Sequence, residues 1–115
     1  MTSHTGPQAT ISLLNERDGP NSWFIDASLD DQGNLLIAGQ DLGPATAVVS
    51  TDGEYEWSVT VPASSLSRAV VVLGGRTGEP ILELLARNYG GRAAYGIRRK
   101  LEEAGIPVEL FTWSG

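Results

Sequence analysis

Residues 54–61 constrain this chain more than any other segment. Tyr55, Trp57, Val59 and Val61 recur at every second position, and Glu54, Glu56, Ser58 and Thr60 fill the places between them. An extended chain points successive side chains to opposite faces. Four large apolar groups against four polar ones therefore specify a strand with one packed face and one wet face. That is the pattern of an antiparallel sheet, since the strands of a parallel sheet are covered on both sides. Pro62 ends the strand because it has no N–H to give to a ladder.

The rest of the first half reads in the same way. Thr10 to Asn15 is a short β-like run, closed by turn chemistry from Glu16 to Ser22 that includes Asp18-Gly19-Pro20-Asn21. Trp23 to Asp30 alternates, with Trp23, Ile25, Ala27 and Leu29 on one face and Asp26, Ser28 and Asp30 on the other. Asp31-Gln32-Gly33-Asn34 is a hairpin connection, and Leu35 to Gln40 returns as the next strand. Asp41-Leu42-Gly43-Pro44 breaks that strand, Ala45 to Ser50 reads as a further short strand or a loop, and Thr51-Asp52-Gly53 reads as a turn.

After Pro62 the period changes. Ser64 or Ser65 is placed to cap a helix carrying Leu66, Ala69, Val70 and Leu73 at helical spacing, with Gly74-Gly75 as its stop. Its Val70-Val71-Val72 run keeps a strand as a competitor. Thr77-Gly78-Glu79-Pro80 starts a second helix with Ile81, Leu84 and Leu85 facing the core, and Asn88-Tyr89-Gly90-Gly91 ends it. Arg92 to Ala104 reads as a third helix, with Ile97, Leu101 and Ala104 in line and Gly105 as its stop. Ile106-Pro107 redirects the chain into a last strand, Val108 to Trp113. The expected fold is α+β: an antiparallel sheet of four to five strands, helices packed on one face, and a C-terminal strand that joins the sheet or a partner. Residues 1–9 read as a disordered tail and residues 10–115 as a single α+β domain.

Composition sets aside several chemistries. There is no cysteine, which excludes disulfides, thiolate metal sites and a cysteine nucleophile. The one histidine, His4, lies in the tail with nothing to orient its ring. The opening residues have no basic region followed by an apolar run, and no stretch approaches ~18 consecutive apolar residues. The expectation is thus a soluble, cytoplasmic protein away from membranes. The net charge of −6 is uneven: residues 1–60 hold nine acids and one base, and residues 61–115 hold five acids and seven bases. Such asymmetry marks either a solvated acidic sheet face or an interaction surface.

Each candidate motif has a plain alternative. Asp26 and Glu56 are the carboxylates that an acid–base enzyme would use, yet both fall on the wet face of strands. Asp30-Asp31-Gln32-Gly33-Asn34 lacks the alternating ligands and closing Glu of a calcium loop. No serine stands in Gly-x-Ser-x-Gly, and no histidine is available to activate one. Leu73-Gly74-Gly75-Arg76-Thr77-Gly78 lacks both the dinucleotide spacing and the P-loop lysine. Neither a cofactor nor a metal is expected. Arg87, Arg92, Arg98, Arg99 and Lys100, interleaved with Tyr89 and Tyr95, form the one cluster with the chemistry of anion or single-strand binding. Glu102 and Glu103 stand four residues after Arg98 and Arg99 and neutralise part of it, and a pI near 4.6 opposes long-range attraction to phosphates. Trp23 and Trp57 read as core. Phe111 and Trp113, on the last strand, read as an interaction edge.

Two resemblances follow from these segments. Gly53-Glu54-Tyr55-Glu56-Trp57, Val59-Thr60-Val61-Pro62, the Leu73-Gly74-Gly75 stop and the run from Gly105 to Trp113 together resemble small uncharacterised actinobacterial proteins over roughly residues 23–113. That likeness implies a cytoplasmic stand-alone domain and no particular activity. The order of Leu35-Leu36-Ile37, then Trp57 to Pro62, then a helix resembles in layout the PC4/Whirly-type single-strand binders. Those are dimers whose strands present basic residues, where this sheet presents acids. The reading is a non-enzymatic binding or protein-interaction module. Its partner is a second copy (a homodimer) or another protein, such as a basic protein it inhibits. A single-stranded nucleic-acid binder and a small carboxylate-dependent enzyme are the alternatives.

Overall fold

The computed structural model describes residues 9–43 and 54–114. Five strands run in the order of the sequence: β1 (Ala9–Asp18), β2 (Asn21–Leu29), β3 (Leu35–Leu42), β4 (Glu54–Val61) and β5 (Glu109–Ser114). Each is antiparallel to its neighbour, so β1 and β5 are the edges. Between β4 and β5 the chain leaves the sheet through α1 (Leu66–Val72), α2 (Ile81–Asn88) and α3 (Ile97–Glu103), with 3₁₀ turns at Ala63–Ser65 and Gly91–Gly96. This is the α+β architecture expected from the alternation.

The register fixes the two faces of the sheet. Trp23, Asp41 and Tyr55 lie abreast, as do Ile25, Gly39, Trp57 and Thr112, and Ala27, Ile37, Val59 and Leu110. These rows face the helices. Their centre is fully enclosed: Ile25, Ala27, Leu35 and Val61 meet Ala69, Leu84, Leu85 and Leu101, all without exposed surface. Burying a side chain of the Leu or Ile class contributes about 1.5–3 kcal/mol, so this one cluster anchors both halves. The opposite rows include Phe24–Gln40–Glu56–Trp113 and Asp26–Ala38–Ser58–Phe111. No described element covers that face.

Several expectations need correction. Ala9, read as tail, begins β1, and that strand runs three residues past Asn15, to Asp18, before the Gly19-Pro20 turn. A bulge between Ser12 and Leu14 lets Leu13 and Leu14 both be buried, which strict alternation forbids. β3 passes through Asp41 and Leu42, because both residues pair with β2 and with β4. The helix expected over Arg92–Ala104 is divided: its first turns are 3₁₀, α3 begins at Ile97, and Ala104 is exposed. Neither Ser64 nor Ser65 caps α1 with its side chain; Ser65 is buried in the 3₁₀ turn, its N–H donating to the Pro62 carbonyl at 2.9 Å. His4, the Ala45–Ser50 segment and the Thr51-Asp52-Gly53 turn lie outside the described residues.

The glycine stops act as read. At the end of α3, Gly105 adopts φ 77°, its N–H donates to the Glu102 carbonyl and the Ile106 N–H donates to Leu101. This is the Schellman closure. It turns Ile106 back into the core and aims the chain at β5.

Candidate functional site

The basic cluster does not assemble into a surface. Each arginine is engaged by a carboxylate. Arg87 pairs with Glu79, Arg92 with Glu16 at 2.8 Å, Arg98 with Glu102 at 3.8 Å and Arg99 with Glu103 at 3.3 Å. Arg92 also lies over the Trp23 ring at 5.3 Å. Lys100 sits over the Tyr89 ring, its Nζ 3.3 Å from that hydroxyl. Tyr89 itself is buried and donates its O–H to the Leu73 carbonyl at 3.0 Å, so its ring cannot stack on a base. Of the two interleaved tyrosines only Tyr95 reaches solvent.

The other candidates are equally self-contained. Asp26 and Glu56 are exposed on the open face with β3 between their strands, which puts them on the order of 10 Å apart. Asp30 spends its carboxylate inside its own hairpin. It accepts from the Asn34 N–H (2.9 Å), the Gln32 N–H (2.9 Å) and Asn34 Nδ2 (3.0 Å). The Asn34 backbone N–H leads in holding this carboxyl below its ordinary range. In the loop before α2, Glu79 accepts from Arg87 and from the Arg76 backbone N–H (3.0 Å).

Two features remain. The first is the β5 edge and the face beside it. Phe111 is 65% exposed, and Trp113 and Leu110 are each 45% exposed. Phe111 and Trp113 point to the open face, where Leu36 is also exposed, while Leu110 points to the helix side.

The second is a cleft of about 330 Å³ between the sheet and the turn leading into α3. Its floor is Ile37, Val59 and Ile97; its walls are Tyr55, Trp57 and Tyr95; Leu110 closes the β5 side. Trp57, read as core, is only partly buried, because the described helices stop short of covering it. Its indole lies flat across β3 at Gly39, where a Cβ would overlap the ring. Only glycine permits that approach. The Trp57 and Tyr95 rings have centroids 6.3 Å apart and planes tilted by 41°.

Asp41 is the one carboxylate lining this cleft among the described residues, two positions along β3 from Gly39 and abreast of Tyr55. Burial pushes its pKa up from the ordinary value, against a hydrogen bond from the Tyr95 hydroxyl at 3.4 Å and a weaker pull from Arg92. Burial, together with the Asp41 charge, pushes the Tyr95 hydroxyl up to about 12. Tyr95 therefore stays protonated and donates.

Compared with known protein families, with curated proteins and with solved structures, the chain matches none.

Proposed function

We propose that this protein is a non-enzymatic interaction module that associates with a second copy of itself through β5. One observation carries the reading: β5 is a sheet edge lined with aromatic residues, and no described helix covers it. The other edge shows what guarding looks like. β1 has a bulge, ends in Glu16-Arg17-Asp18, and is contacted by α2 and the 3₁₀ turn before α3. Bulges, charges and a covering element are the devices that keep an edge from pairing. β5 has no proline, no bulge and one charge, Glu109.

Two-fold antiparallel pairing of β5 suits these residues. Pairs across strands share a face, so the dyad falls on Phe111 or on Thr112. Either choice sets Phe111 and Trp113 of both copies together on the open face. Each Glu109 then lies at the far end of the strand from its counterpart, roughly four residues (~13 Å) away for a dyad on Phe111 and roughly six (~20 Å) for one on Thr112. Cross-strand aromatic pairs of this kind add about 0.2–1 kcal/mol each. Single-strand binding gains less support, because its arginines are already paired and Tyr89 is buried. The enzyme reading gains least, because Asp26 and Glu56 stand apart in solvent.

Sedimentation equilibrium over a concentration series tests the proposal. The expected result is a monomer–dimer equilibrium that Phe111→Lys shifts to monomer with an unchanged far-UV circular dichroism spectrum. Phe111 is mostly exposed in the single chain, so the substitution leaves the fold intact. A wild-type chain that stays monomeric throughout, or a Phe111→Lys variant that still dimerises, overturns it.

A further inference from the structure

We infer that the cleft between β3, β4 and the turn before α3 is a binding site for a small organic cation, a planar amidinium or guanidinium, seated among Trp57, Tyr55 and Tyr95 with its charge on Asp41. The inference is independent of the association through β5.

Three observations converge on it. The cleft has the size of a small-ligand site and the usual makeup of one, an apolar floor with a few polar groups. Its walls are aromatic, and ring faces attract cations through their quadrupole. Two of those walls are held by the fold: Trp57 lies on Gly39, and the Tyr95 hydroxyl is tied to Asp41. A planar cation lies flat on one ring face while its edge reaches a carboxylate, which a compact ammonium does not do.

The third observation is the local charge. Arg92 approaches Asp41 but makes its ion pair with Glu16, and Arg98, which also lines the cleft, pairs with Glu102 along its own helix. Among the described residues, the lining holds one carboxylate, Asp41, and one guanidinium, Arg98, and Arg98 has a carboxylate partner of its own in Glu102. The Asp41 carboxylate has lost part of its water and received in return a long hydrogen bond from a neutral hydroxyl and a weak pull from Arg92, which is paired elsewhere. An amidinium offers two parallel N–H donors, which a carboxylate accepts in a fork.

The test uses benzamidine as the probe, with benzamide and benzoate as its neutral and anionic counterparts. Binding is read from the three tryptophan indole N–H resonances, that of Trp57 being assigned with Trp57→Phe. Benzamidine is expected to shift the Trp57 resonance saturably while Trp23 and Trp113 stay still. Benzamide should bind about tenfold more weakly or worse, and Asp41→Asn should weaken benzamidine by a similar factor. Tyr95→Phe keeps the ring and the fold and should weaken it less. The inference is overturned if benzamidine leaves the Trp57 resonance unmoved, if benzamide or benzoate binds as well, or if Asp41→Asn binds benzamidine as the wild type does.

Discussion

Asp41 shows how a single residue carries both a cost and a use. Its carboxyl is partly buried, and burial raises its pKa more than the Tyr95 hydrogen bond lowers it. A carboxyl whose folded pKa lies above its unfolded value favours the fold most when protonated. Stability from this group therefore falls as pH rises from 3.8 through the folded value, and the loss persists at neutral pH. Asp41→Asn removes the charge, keeps the shape and leaves an acceptor for Tyr95. The variant should be more stable than wild type at pH 7 by a fraction of a kcal/mol, since the site is open enough for solvent to screen it. The two should converge below about pH 4. Urea unfolding at both pH values measures this; an Asn variant less stable at pH 7 would show that the ion interacts favourably with its surroundings. The residue was legible in part. Leu35, Ile37, Gly39 and Asp41 keep one phase, so an acid was visible on a buried stripe. Gly43 and Pro44 obscure it, because turn chemistry is a stronger local signal than two more positions of alternation.

At the level of elements, the strands were easier to read than the helices, for a physical reason. A strand with one buried face writes its period into every residue, and Glu54–Val61 has the bounds that the alternation gave it. Short helices write little. α1 contains three valines, yet it is helical, because Ala69, Val70 and Leu73 reach the core while Val71 stays 52% exposed. Tertiary burial overrides the propensity. The segment before α3 departs from the expected helix: Ala94 and Ile97, both buried, are three apart, a spacing that fits a 3₁₀ turn as well as an α-helix. The stops are the legible part of these helices. Gly105 has open space around its Cα, so an alanine there meets no neighbour and suffers only from φ 77°. Gly105→Ala should therefore destabilise the protein by about 1 kcal/mol. The loss should appear as a lower urea midpoint with an unchanged slope. A change in slope would mean that the β5 connection has rearranged rather than tightened.

On the scale of the whole molecule, charge and shape oppose each other at the β5 edge. The acids of the helical half are largely absorbed by its own arginines: Glu79 by Arg87, Glu102 by Arg98 and Glu103 by Arg99. Among the described acids of the sheet, Glu16 pairs with Arg92, and on the open face Glu54 and Glu56 share the Gln40 amide. Each chain thus brings a net charge of −6 to any contact with its own copy. Like charges repel over a Debye length of about 10 Å at 0.1 M salt and about 3 Å at 1 M. Pairing through β5 is apolar and backbone-driven, so salt removes the repulsion and leaves the attraction. Dimerisation should become tighter as sodium chloride rises from about 0.05 M to 0.5 M, read as a fall in the dissociation constant by sedimentation. A contact made by the acidic face with a basic surface would respond in the opposite sense, weakening as its ion pairs are screened. A dissociation constant that rises with salt would therefore place the contact on the charged face and away from Phe111 and Trp113.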